Sequence, residues 1–105
     1  ELETAKRLGI PIVVLIFNDC SYGLIKWKQD DKYGKHCYVD FDNPDFVKYA
    51  ESFGIKGNRI EKTEDLQPTL THAFEQNELA LIDCPVDYRE NIKLTEELQK
   101  IYVEL

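Results

Sequence analysis

Two apolar runs constrain this chain more than anything else in it. Ile12-Val13-Val14-Leu15-Ile16-Phe17 and Leu79-Ala80-Leu81-Ile82-Asp83-Cys84 are short, rich in branched residues and free of polar alternation. A strand with one wet face alternates, whereas a parallel strand covered on both faces reads as a continuous apolar run. The first run therefore predicts a central parallel strand, and the second a buried strand ended by Pro85. Between and around them the period changes to that of helices. Leu2, Ala5 and Leu8 recur at helical spacing, with Gly9 and Pro11 as a stop. Asn43-Pro44 reads as an N-cap followed by proline at the first helical position, with Phe46, Val47, Ala50 and Phe53 as the apolar stripe and Gly54 as the close. Ile55 to Ile60 reads as a minor strand.

Thr63 is expected to cap a further helix whose buried side is Leu66, Leu70, Ala73 and Phe74. Pro68 lies deep enough in it to predict a kink or a split first turn. Leu94, Leu98, Ile101, Tyr102 and Leu105 predict an amphipathic tail helix. Strands alternating with helices imply an α/β fold, a parallel sheet with helices on both faces. Two strong strands and one weak one make a sheet too narrow to protect its edges. The first helix also has no N-cap in view. Residues 1–105 therefore read as a fragment of a larger domain.

Composition narrows the function classes. A net charge of −7 is the wrong sign for a nucleic-acid surface or for docking on anionic lipid. No apolar run is long enough to span a bilayer, and no leader is visible, so a cytoplasmic location is expected. Cys20, Cys37 and Cys84 lack metal or dithiol spacing and read as small, half-buried hydrophobes. His36-Cys37 lacks further ligands at zinc spacing. His72 sits at ordinary helical spacing, and Asp30-Asp31 with the following lysines reads as a solvated face. Asp83, inside a strand, calls for a structural hydrogen-bond partner.

Chemistry is expected at the carboxyl end of the first strand, where open α/β sheets bind ligands. There Asn18-Asp19-Cys20-Ser21-Tyr22-Gly23 follows the apolar run. Asp19 offers a hard oxygen suited to Mg²⁺, and the amides opening the next helix offer donors to phosphate. Many α/β domains end a strand in Asn-Asp only to satisfy turn amides, so on its own this chemistry favours a structural turn over a ligand site.

The flanking sequence bears on that choice. Glu1-Leu2-Glu3-Thr4-Ala5, Ile10-Pro11-Ile12-Val13 and Asn18 to Gly23 resemble, in order and spacing, the thiamine-diphosphate enzymes of the acetolactate synthase type. Val39-Asp40-Phe41, 46–54 and Pro85 to Asn91 extend the resemblance over nearly the whole chain. It implies the C-terminal portion of a diphosphate-binding domain, with thiamine diphosphate and Mg²⁺ as cofactors. The family's metal motif begins Gly-Asp-Gly and ends at paired Asn-Asn, here Asn18-Asp19. Carried over, the metal ligands in this segment are the Asp19 side chain and the Ser21 carbonyl, and the backbone of Tyr22, Gly23 and Leu24 lines the diphosphate. Asp19 departs from the commoner Asn, and an anionic oxygen suits a dication flanked by phosphates.

The resemblance further implies an enzyme that decarboxylates pyruvate and condenses the product with a second pyruvate to give 2-acetolactate, in branched-chain amino acid or acetoin metabolism. The Gly-Asp-Gly half and the family's activating glutamate fall outside these residues, so no catalytic residue is expected here and the isolated fragment is expected to be inactive. Its partners would be the rest of its chain and a second subunit, in a homodimer or homotetramer. FAD, used structurally by some relatives, would bind another domain. Lys28 falls where relatives place a residue near the substrate; it either pairs with a 2-oxo acid carboxylate or, as a helix lysine more commonly does, extends to solvent. The alternatives are another thiamine-diphosphate 2-oxo acid decarboxylase or lyase, or a flavodoxin- or receiver-like binding module.

Overall fold

The structure is a computed structural model and describes residues 1–90 together with Lys93 and Glu97. The apolar positions of the expected tail helix, Leu94, Leu98, Ile101, Tyr102 and Leu105, lie outside the described residues. Two compact units are present, Glu1–Asn18 with Asn43–Pro85, and Asp19–Asp42 with the chain from Val86. The first holds the sheet.

The second apolar run becomes the middle of that sheet. β3 (Ala80–Pro85) pairs in parallel with β1 (Val13–Asn18) on one side and β2 (Lys56–Arg59) on the other. Leu81 and Ile82 are both fully buried, and consecutive strand side chains point to opposite faces, so β3 is covered on both. β1, expected to be central, is instead an edge of the described sheet. It is half-buried through Ile16, and Phe17 is 60% exposed. Periodicity reports which residues avoid water, but the number of pairing neighbours is set by the other strands.

Asp83 is the one charged residue buried in β3. It is 1% exposed, and Asn18 Nδ2 donates to its Oδ1 at 3.0 Å. Arg59 Nη1 stands 3.4 Å from its other carboxylate oxygen. Asn43 in turn donates to Asn18 Oδ1 at 2.8 Å. The structural partner expected for Asp83 is therefore present, and it comes from both neighbouring strands.

α1 (Leu2–Leu8) ends at Gly9, as its sequence predicts. α3 (Phe46–Ser52) starts later than Asn43-Pro44 predicts. Its N-cap is Asp45, whose side chain accepts from the Val47 and Lys48 amides at 3.0 and 3.1 Å. Asn43 cannot cap this helix while its side chain is engaged with Asn18. α3 lies against β2 and β3, with Ala50, Ile55 and Leu81 as a core and Leu2, Val14, Phe46 and Phe53 packed around it. Gly57 makes this close approach feasible. A Cβ there would lie 2.8 Å from the Val47 carbonyl oxygen and 2.9 Å from its Cα.

Thr63 is not a helix cap. It opens a 3₁₀ turn, Thr63–Asp65, and α4 (Leu66–Gln76) follows. Pro68 then falls at the third helical position, where its missing N–H breaks no intrahelical bond. The split first turn is thus present. Leu66, Leu70 and Ala73 face inward, but Phe74 is 67% exposed rather than buried. It lies roughly 75° round the helix from the middle of that stripe. Cys84 is buried, whereas Cys20 and Cys37 are exposed rather than half-buried, and none is in a disulfide. Among the described residues, no helix is long and apolar enough to cross a membrane.

Two expectations follow from this packing. Gly57→Ala should cost about 1–3 kcal/mol, because α3 must lift off β2; an unchanged urea midpoint would contradict the close contact. The Asp45 carboxyl is held below the ordinary carboxylate range, chiefly by the Lys48 amide. Its stabilisation is complete above the ordinary carboxylate range and fades as pH falls through the lowered folded-state value. Asp45→Asn keeps an acceptor without the charge and should flatten that acid limb of the stability profile, measured by thermal melts from neutral to acid pH.

Candidate functional site

After Asn18 the chain turns sharply, and Asp19 organises the turn. Its carboxylate accepts from the Ser21 amide and from the Ser21 hydroxyl, both at 3.2 Å. A carboxylate bonded to the amide two residues on is the usual way aspartate builds a turn. Between them, Cys20 takes φ 51°, the left-handed region. For a residue with a Cβ this costs on the order of 1–2 kcal/mol and persists only where its surroundings impose it.

Those surroundings come from the segment after the next helix. Tyr22 N donates to the Val39 carbonyl at 2.8 Å, and Phe41 N donates to the Cys20 carbonyl at 3.0 Å. These bonds form an isolated antiparallel bridge between Ser21 and Asp40. The Tyr22 and Phe41 rings pack with centroids 4.8 Å apart, and Val39 is buried.

α2 (Gly23–Tyr33) starts straight after the turn, and Tyr22 at its N-cap position makes no side-chain cap bond. The first amides of a helix have no intrahelical acceptor, so this end presents donors. Gly23 leaves room for the carboxylate beside it. A Cβ at this position would lie 2.5 Å from Asp19 Oδ2.

A cavity of about 250 Å³ opens here within the second unit, with Asp19, Gly23, Lys26, Trp27, Tyr88 and Arg89 in its wall. Lys26 Nζ donates to Asp40 Oδ1 at 2.7 Å. That bond raises the lysine and lowers the aspartate from their ordinary pKa values. Arg89 hydrogen-bonds Asp87, which likewise lowers the Asp87 carboxyl and raises the guanidinium. Both cations near the cavity are thus already matched with carboxylates.

Of the residues singled out from sequence, Asp19, Ser21 and Gly23 share this cavity. Tyr22 and Leu24 are exposed and outside its wall, and so is Lys28. Lys26 and Trp27 stand there instead. The signal for them was present: counted from Gly23, they fall at i+3 and i+4, the same helix face, whereas Lys28 falls on another. Tyr88 and Arg89 had no such signal, being brought in from far along the chain. His36 does not act with Cys37. Its Nδ1 lies 2.8 Å from Asp30 and its Nε2 3.6 Å from Asp40. Among the described residues, no three His, Cys, Asp or Glu side chains cluster closely enough to hold a metal.

Replacing a glycine by alanine in a helical conformation normally stabilises a protein by about 0.4–1 kcal/mol. Gly23→Ala should forgo that gain, because the new methyl displaces the Asp19 carboxylate; a raised melting temperature would show that the carboxylate has room to spare.

Residues 1–84 match the family model described as thiamine pyrophosphate enzyme, C-terminal TPP binding domain. The chain is 44% identical to an acetolactate synthase of Bacillus subtilis (strain 168), over 100% of this chain and 19% of that protein. It is 40% identical to a catabolic acetolactate synthase of Raoultella terrigena, over 93% of this chain and 18% of that one. The chain thus spans about a fifth of the length of these relatives. Among solved structures, the thiamine diphosphate-dependent 4-hydroxybenzoylformate decarboxylase of Rhodococcus jostii RHA1 superposes with a TM-score of 0.72. That match has 26% identity and covers 82% of this chain and 16% of the other.

Proposed function

This chain belongs to the thiamine pyrophosphate enzymes, through their C-terminal TPP-binding domain, and we propose that it is the C-terminal portion of that domain in an acetolactate synthase-like enzyme. The observation that carries this reading is the 44% identity to an acetolactate synthase across the full length of the chain. A family match over residues 1–84 also sets aside a flavodoxin- or receiver-like module.

The residues at the turn fit a magnesium ion and a diphosphate. A hard dication takes a few carboxylates plus phosphate and carbonyl oxygens. Asp19 presents a half-buried carboxylate at the cavity, and Gly23 leaves it the space that a side chain would fill. In this reading Asp19 and the Ser21 carbonyl hold Mg²⁺. The backbone of Tyr22, Gly23 and Leu24, at the positive end of α2, holds the diphosphate. Thiamine diphosphate, when bound, supplies the electron sink for decarboxylation of a 2-oxo acid such as pyruvate.

The chain's own task is positional. Asp19 neutralises part of the cation's charge, the turn aims the ligands, and the helix amides meet the phosphate oxygens without reorganising. The remaining ligand, the catalytic glutamate and the second subunit would come from outside these residues, as would any FAD.

A second reading, a 2-oxo acid decarboxylase that releases an aldehyde, draws on the structural likeness to the 4-hydroxybenzoylformate enzyme, at the lower identity of 26%. Incubating the full-length protein with pyruvate, thiamine diphosphate and Mg²⁺ separates the two. 2-Acetolactate is expected; acetaldehyde as the sole product would overturn the synthase reading. Asp19→Ala should abolish turnover at limiting cofactor and Mg²⁺, and near-normal turnover there would remove Asp19 from the ligand set.

A further inference from the structure

The turn at Asp19 does not hold its shape alone. Cys20 is in a left-handed conformation that needs support, and both backbone groups flanking Ser21 are committed to one return segment. The bonds run from Tyr22 N to Val39 O and from Phe41 N to Cys20 O. This makes Ser21 and Asp40 a non-hydrogen-bonded antiparallel pair, in which the central residues turn their own N–H and C=O away from the partner. The Ser21 amide accordingly bonds to the Asp19 carboxylate, on the side away from Val39–Phe41. The Ser21 carbonyl of such a pair faces that same side. The return segment thus turns the carboxylate and the carbonyl in a common direction.

Side chains tie the return segment to α2. Lys26 Nζ meets Asp40 Oδ1 at 2.7 Å, and His36 stands between Asp30 of α2 and Asp40. Gln29 Oε1 accepts from the Cys37 amide at 2.9 Å. One face of α2, through Lys26, Gln29 and Asp30, therefore grips the loop whose end pairs with the turn.

We infer that Asp40 and Lys26 are positioning residues, whose ion pair splints Val39–Phe41 against Cys20–Tyr22 and so holds Asp19 and the Ser21 carbonyl in cation-binding register. This rests on the reading of Asp19 and Ser21 as magnesium ligands. Asp40 takes no part in the cavity wall but bonds Lys26, which does, so exchange at the Tyr22 and Phe41 amides separates an effect through the backbone bridge from one through the lysine's charge. Both partners are substantially exposed, which keeps the effect modest.

The test uses the full-length protein. Magnesium-dependent retention of thiamine diphosphate is titrated by calorimetry, and amide hydrogen exchange is followed at Tyr22 and Phe41. Asp40→Asn and Lys26→Met should each raise the Mg²⁺ concentration required roughly two- to fivefold and speed exchange at both amides. The charge-swapped pair Lys26→Asp with Asp40→Lys should recover most of both losses. A merely structural role would not be rescued by reversing the charges. Unchanged exchange and Mg²⁺ dependence in the single variants would overturn the inference, and so would a swap no better than they are. Asp19→Ala, run alongside, reports on the ligand reading separately. If it retains cofactor normally, that reading fails, and unchanged exchange in the Asp40 and Lys26 variants still decides against the splint.

Discussion

The sheet depends on one buried carboxylate. Asp83 sits in the central strand with almost no access to water, and burying a charge is costly unless it is paired. It is paired from both sides, by Asn18 at the end of β1 and by Arg59 at the end of β2. A slip of one residue in either strand would turn the partner's side chain to the opposite face. The cost of leaving Asp83 alone therefore enforces register across all three strands. It also fixes Asn18, the residue immediately before the turn that carries the candidate site.

Beyond Asn18 the organising force changes from burial to local polar bonding. Asp19 captures the Ser21 amide and hydroxyl, Cys20 absorbs the tight backbone angle, and Gly23 gives way to the carboxylate. None of these residues is deeply buried, so their own burial does not hold the turn. Backbone pairing with 39–41 does so instead, helped by an ion pair that reaches from α2. A turn held this way can place oxygens with little apolar mass around them, which suits the role proposed for it beside a charged cofactor.

The element order was legible because it follows from periodicity, and periodicity is local. α1, α3, α4 and the three strands fall close to where the apolar spacing puts them. The misplaced start of α3 has a non-local cause. Asn43 looked like a cap, but Asn18 claims its side chain from 25 residues away. Asp45, with a carboxylate free for two amides, took the role. Phe74 and β1 likewise kept their apolar character yet found less cover than their pattern asked for.

At the site the division is the same. Sequence alone determined the chemistry: a carboxylate at a strand end, a polar turn, a glycine and a helix start, all within Asn18 to Gly23. It also determined the family, since those residues and their flanks match the TPP-binding domain over residues 1–84. Only tertiary structure decided that Lys26 and Trp27, not Lys28, face the cavity, that Tyr88 and Arg89 join them, and that 39–41 braces the turn. Local sequence dictates which groups a segment carries and how its backbone prefers to bend. Which distant segment meets it depends on how the whole chain satisfies its buried polar groups, and no local pattern encodes that.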